Sequence, residues 1–434
     1  MSRKSALRRT ALALAAAALM ASLAGGIAAS ADSGLDIAIG RALFRRVWVP
    51  GPASTQADDG LGPLFDARSC ASCHPRAGRA GAAFDTFGHL EGRGVVLMIA
   101  RPDGSGDPVY GRRLQIDAAP GFRPEGIIGA HDTALSDGRI ARRPQIDDLG
   151  YGPLDPASGL SLRVAPDLRG RGAMARVSDA TLIAVAAEQA AGAARRGDGV
   201  AGRPRLLAAS QGEAAIGRFG WKASHADIAH QSADAFLLDL GMSTPLFPEP
   251  WGDCTAAQAD CRAGPHGNHT PLPGSPASPS RDAVGGVPEI SAAVLDRVVA
   301  YVASLPVPAP VGKGPTAGPR LFAAAGCAVC HRPELPAEGG PVRLFSDLLL
   351  HDMGPGLGDT MPEPGAAASD WRTAPLAGLA DAIARNTGLL HDGRARSVEE
   401  AIRWHGGEAA EAARRFEALK PRDRAALLDY VSAL

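Results

Sequence analysis

Apolar residues recur every three to four positions in two stretches far apart in the chain. One runs from Ile290 to Leu305 and contains Val298, Val299, Tyr301, Val302 and Leu305. The other runs from Arg424 to Leu434 and contains Leu427, Leu428, Tyr430, Val431 and Leu434. Such spacing predicts a helix with one buried face, and the Tyr-Val step is common to both. Each helix closes a segment that opens on a short helical stretch containing Leu-Phe, Gly40-Arg41-Ala42-Leu43-Phe44 in the first and Arg320-Leu321-Phe322 in the second. The repeat predicts two units of unequal size, 32–305 and 316–434. Between them, 306–315 is rich in proline and reads as a semi-rigid extended linker. From about 86 to 165 the pattern changes to short β-like runs such as Gly94 to Ile99 and Ser161 to Val164, with turn signals at Asp103-Gly104 and Asp137-Gly138. These predict β-hairpins inserted in the first unit. Residues 266–288, rich in Pro, Gly and Ser, predict an exposed loop.

Each unit carries one copy of Cys-x-x-Cys-His shortly after its opening helix. The copies are Cys70-Ala71-Ser72-Cys73-His74 and Cys327-Ala328-Val329-Cys330-His331. This pattern reads as c-type haem attachment. Two thiols three residues apart on a helical turn reach two vinyl groups on one edge of a porphyrin. The adjoining histidine, His74 or His331, then supplies the proximal iron ligand. A structural zinc site would require a second Cys or His pair near each copy, and neither has one. A redox dithiol would require a βαβ setting, whereas these copies sit between short helical stretches. Two covalently attached c-type haems are therefore expected.

Residues 1–31 carry a basic start (Arg3, Lys4, Arg8, Arg9), an apolar run from Ala11 to Leu23, and the small-x-small step Ala29-Ser30-Ala31. Together these predict a cleaved secretory signal, with an uncleaved membrane anchor as the alternative. No later stretch approaches transmembrane length. The expected compartment is the periplasm. Four of the six cysteines fall in the haem motifs. The remaining pair, Cys254 and Cys261, predicts a disulfide in an oxidising compartment, with a reactive dithiol as the alternative. The formal net charge is -1, and loss of the signal makes it more acidic. Nothing points to nucleic acid or an anionic membrane surface.

Several further stretches resemble the bacterial di-haem oxidoreductases known as thiol oxidoreductase-like proteins, distant relatives of the di-haem cytochrome c peroxidases. They are Leu61-Gly62-Pro63-Leu64-Phe65 with the first motif, Gly217 to Ala223, Phe345 to Gly354, Leu390 to Ala395, and His405-Gly406-Gly407-Glu408-Ala409. The resemblance implies a mainly α chain of two cytochrome c-like haem domains, with the β-hairpins inserted in the first. It also implies an oxidoreductase that passes electrons between the haems and a redox partner protein or small-molecule substrate. By the same resemblance, Trp221 matches a tryptophan between the haems, and Gln231, ten residues on, matches a glutamine of the peroxidatic pocket. The carboxylate expected after a further ten residues is missing. Gly241 stands there, followed by Met242, with Asp239 displaced, and this departure puts peroxidase activity in doubt. His405 is the expected distal ligand of the second haem, with Met353 and Met361 as alternatives. For the first haem His89, His131, His225 and His230 are all open, as is an unfilled sixth position. His351, His391 and Arg394 are candidates for propionate contacts. A non-enzymatic di-haem electron carrier remains the competing function.

Overall fold

In the computed structural model the described residues are 34–434, without 52, 55–57, 136–137, 209–213, 265–287 and 313. The expected signal segment, the turn at Asp137 and nearly all of the 266–288 loop lie outside them. Helices outweigh strands, and the strands form small two-stranded sheets. Among the described residues no helix is long and apolar enough to cross a membrane.

The two predicted amphipathic helices form at Ala292–Ser304 and Pro421–Ser432. The first is capped by Ser291, whose hydroxyl accepts from the Val294 amide. It buries Leu295, Val298 and Val302 against an opening helix that spans 34–45. The second buries Leu427 and Val431 and packs on the helix Gly318–Ala324. The two crossings share a device. A Cβ on Gly40 would lie 1.9 Å from the carbonyl oxygen of Arg297, and one on Gly318 would lie 2.4 Å from Cβ of Tyr430. Glycine is required at both contacts, and in each crossing the tyrosine of the closing helix meets the phenylalanine four residues after the glycine. Phe44 lies 5.3 Å from Tyr301 and Phe322 lies 5.7 Å from Tyr430, both centroid to centroid and tilted or edge-on.

The β segment is partly as predicted. Ile127–Ala134 and Ile140–Asp147 form an antiparallel hairpin. Val95–Ala100, however, pairs with Gly159–Val164 from Val95↔Val164 to Ala100↔Gly159, so it closes a long loop and does not form a local hairpin. Leu97, Ile99, Leu162 and Val164 from this pair pack into a buried cluster with Ala80, Ala82 and Cys73, which sets the sheet against the first motif.

The two parts of the chain are joined by hydrogen bonds as well as by the linker. Val164 N–H donates to His391 O at 2.7 Å, and Arg203 and Leu350 exchange amide bonds at 2.9 Å. Arg79 Nε donates to Gly388 O at 3.0 Å. A short antiparallel pair, Leu350–Asp352 with Asp370–Arg372, sets His351 opposite Trp371 and Leu350 opposite Arg372.

Candidate haem site

Both Cys-x-x-Cys-His segments fold as a single helical turn. Cys70–Cys73 is α-helical and capped by Ser69, and Cys327–Val329 is a 3-10 turn. In each, the histidine amide donates to the carbonyl of the first cysteine at 2.9 Å. Burial pushes the Cys70 and Cys73 thiols up to about 12 and Cys327 to about 11. Thiols held so far above the ordinary range are poor redox nucleophiles, which argues against a dithiol enzyme.

Three half-buried histidines share one arrangement. Nδ1 of His74 meets Pro166 O at 2.9 Å, Nδ1 of His331 meets Phe345 O at 3.1 Å, and Nδ1 of His405 meets Ala401 O at 2.8 Å. A carbonyl only accepts, so Nδ1 carries the proton and Nε2 keeps its lone pair for a metal. Burial holds all three rings neutral. His74 and His331 fall to about 4, with His405 adding to the effect at His331, and His405 is itself lowered.

His331 and His405 face one cavity of about 260 Å³. Their ring centroids are 6.4 Å apart. An iron held by both Nε2 atoms would put the centroids roughly 6 Å apart, from about 2 Å per iron–nitrogen bond and about 1 Å from each nitrogen to its ring centre. The spacing therefore fits a bis-histidine haem iron. The cavity is lined largely by apolar side chains such as Phe322, Leu357, Leu389 and Val431, with Cys327 and Cys330 at its edge. Such an apolar wall suits a porphyrin face. The expected residues Cys327, Cys330, His331 and His405 are thus brought together.

Trp221 also lines this cavity. Its Nε1 donates to Val164 O at 2.7 Å. Beside it are two groups whose roles the sequence does not reveal. His391 stacks on Trp371 at 3.7 Å and 12°, and meets Trp221 edge-on at 6.5 Å. Burial lowers His391 to about 3, so it is a neutral ring in an aromatic row. Lys222 Nζ lies 4.5 Å from the Trp371 ring centre. It is fully buried and donates to the carbonyls of Ala367 and Ala368 at 2.9 Å.

Other expected residues are placed elsewhere. Gln231 sits on the helix Ile228–Leu240, near Gly220, and is not part of the cavity lining. Asp239 is ion-paired with Arg113. Met361 is buried outside the cavity, whereas Met353 lines it. None of the four histidines considered for the first haem lines the cavity. His89 pairs with Asp85 and Asp147, His225 with Asp234, and His230 with Asp227, while His131 is exposed on a strand.

Arg394 is bound to Asp392 at 2.6 Å. His351 lies between Asp347 and Glu408, at 2.9 Å from each. Against the cost of burial, the Cys330 sulfur and these two carboxylates raise it well above 6.5. Cys330, Asp347 and His351 would suit a metal ion by distance alone, but the ion pairs already satisfy the imidazole. Cys254 and Cys261 are joined as a disulfide.

A family profile described as "Di-haem oxidoreductase, putative peroxidase" matches residues 158–434. The match takes in the second motif and Trp221, and leaves the first motif outside. A comparison with the curated proteins finds no match. Among solved structures, one of Kuenenia stuttgartiensis hydrazine synthase (pressurised with xenon) aligns at 20% identity and a TM-score of 0.23. The alignment covers 33% of this chain and 56% of that one, so the chain spans little more than half of its length.

Proposed function

The chain belongs to the di-haem oxidoreductase family, and from that premise we propose that it is an exported, periplasmic oxidoreductase with two covalently bound c-type haems. Cys70 and Cys73 hold one haem and Cys327 and Cys330 the other. His74 and His331 are the proximal ligands. The bound haems supply one-electron chemistry at iron. The domain plan is that of the sequence reading, a cytochrome c-like unit around each motif joined by the 306–315 linker.

The observation that carries the proposal is the pair His331 and His405, 6.4 Å apart across an apolar cavity with both Nδ1 atoms tied to carbonyls. The chain places two half-buried neutral imidazoles there, and both lone pairs would be available to hold a haem iron suited to electron transfer. His74 is seen against the Pro166 carbonyl and the Phe44 ring, and we read the first haem as the one that would meet the substrate. Trp221 and the stacked pair His391 and Trp371 place aromatic rings along the cavity wall, where they favour electron passage between the two centres. Gln231 serves the substrate side as a hydrogen-bond donor.

Peroxidase chemistry asks for a carboxylate free to take and return a proton beside the open iron. Asp239, the nearest match in sequence, is engaged by Arg113. The reading is therefore an oxidoreductase whose substrate is a small molecule or a redox partner protein, and peroxide is the less favoured substrate.

Electronic and electron-paramagnetic spectra of the purified protein test this reading. One low-spin haem and one high-spin haem that binds cyanide or carbon monoxide are expected. Two low-spin haems indifferent to both ligands in every redox state would leave only an electron carrier. Mass spectrometry is expected to find two covalent haems on a chain that begins at Asp32.

A further inference from the structure

Most buried arginines of this protein have a carboxylate. Arg163 and Arg205 share Glu363 at 2.6 Å each, and Arg394 holds Asp392 at 2.6 Å. Arg79, Arg171 and Arg372 are as deeply buried, at 9%, 6% and 3% exposure, yet none has a carboxylate within ion-pair distance among the described residues. Arg372 spends Nε on Gly220 O at 2.9 Å and Nη1 on Thr373 O at 2.8 Å. Arg171 reaches only the sulfur of Met174, at 3.0 Å. Arg79 donates to Gly388 O and Leu390 O and lies over the Trp221 ring. The acid that acts on both Arg79 and Arg171 is Asp167, and it is bound by Arg169. Asp392, which also acts on Arg79, is held by Arg394. All three guanidinium groups line the cavity that holds His331 and His405.

Buried cations without counter-charges are costly, and here two of them repel each other. Burial, with Arg171 opposing it further, brings Arg372 down to about 9. Arg171 is also close enough to His74 to act on that ring, while Arg372 is close enough to Asp347 to be stabilised by it. His74 meets the carbonyl of Pro166, five residues before Arg171, and both arginines line the cavity with Cys327 and His331, so the pair stands between the two motifs; the Arg372 amide donates to Trp221 O at 2.9 Å.

We propose that Arg171 and Arg372, with Arg79 beside them, form a carboxylate-binding cradle that receives haem propionates where the two haem sites meet. The inference rests on the di-haem reading and adds to it the groups that neutralise and orient the cofactor's acidic edge. A guanidinium fork matches a carboxylate with two parallel hydrogen bonds, and each of these arginines keeps at least one terminal nitrogen without a protein partner among the described residues. The fixed positive charge also sets the potential. A cation held near a haem disfavours the more positive, oxidised iron.

Arg171→Met and Arg372→Met are purified as holoproteins beside Arg171→Lys and Arg372→Lys, and haem content, near-ultraviolet circular dichroism and midpoint potentials are measured. The expected result is wild-type haem content and fold, with potentials shifted to lower values in the Met variants and by less in the Lys variants. Wild-type potentials in all four would overturn the proposal. Should the Met variants fail to accumulate, Arg171→Gln and Arg372→Gln decide, since they lose both charge and fork; a lowered potential supports the cradle and none overturns it. Succinate titrated into wild-type holoprotein separates a free carboxylate from a propionate. A saturable spectral change that Arg372→Met abolishes would show an open carboxylate site and overturn the propionate assignment. Absence of haem from the wild-type protein would instead defeat the functional reading itself.

Discussion

An imidazole inside a cavity whose Nδ1 proton is given to a carbonyl has its other nitrogen left for a ligand. His405 is in that position, so His405→Ala is expected to change the absorption spectrum and potential of one haem and leave the other as it was. An unchanged spectrum would remove His405 as a ligand. Asp66 makes a different residue-scale prediction. It is fully buried near the first motif, and burial raises it to about 7 despite Arg113. Between pH 3.8 and about 7 the folded chain keeps a proton that the unfolded chain releases, so stability falls as pH rises through that window. Asp66→Asn removes the dependence. It is expected to stabilise the protein at pH 8 by about 2–4 kcal/mol, from roughly 1.4 kcal/mol for each tenfold change in proton affinity, and to change little near pH 3. Denaturant unfolding at the two pH values checks this. The two Cys-x-x-Cys-His motifs are legible in the sequence because their pattern is local, whereas His405 is suggested only by the family resemblance. Arg171, Arg372 and Trp371 are not legible, because an unpaired charge or a stacked ring is defined by neighbours distant in the chain.

At the scale of elements, the helix repeat is legible in its Leu-Phe and Tyr-Val steps, whereas the glycines that make it pack carry no such signal. Gly40 and Gly318 each stand four residues before the phenylalanine that meets the closing helix. Gly318→Leu is expected to wedge Pro421–Ser432 away from Gly318–Ala324 and cost about 3 kcal/mol or more. Thermal unfolding would show it, and Gly340→Ala, in open space at positive φ, serves as a milder control. The β segment shows why strand existence is easier to read than strand pairing. A continuous apolar run marks Val95–Ala100 and alternation marks Gly159–Val164, but which strand lies beside which depends on burial against Ala80, Ala82 and Cys73, and no local turn signal records that.

For the whole molecule, the proline-rich segment after Leu305 is the covalent link between two parts that also hold each other through backbone hydrogen bonds. A protease site placed at 308–311, where the chain is largely exposed, is expected to yield a nicked protein that still elutes as one particle and separates only in denaturant. Separation in native buffer would show that the cross-part bonds contribute little. The family match, 158–434, takes in the second motif and leaves the first outside, and the first is wrapped by strands of the β segment. The wrapping has a consequence for the order of synthesis. The carbonyl that Arg79 holds belongs to Gly388, 309 residues later in the chain. On the proposed reading of an exported chain, the first motif would reach the export machinery before most of what encloses it. Cys73 is sealed in the finished fold, and on the same reading that interval would leave it open to an attachment enzyme.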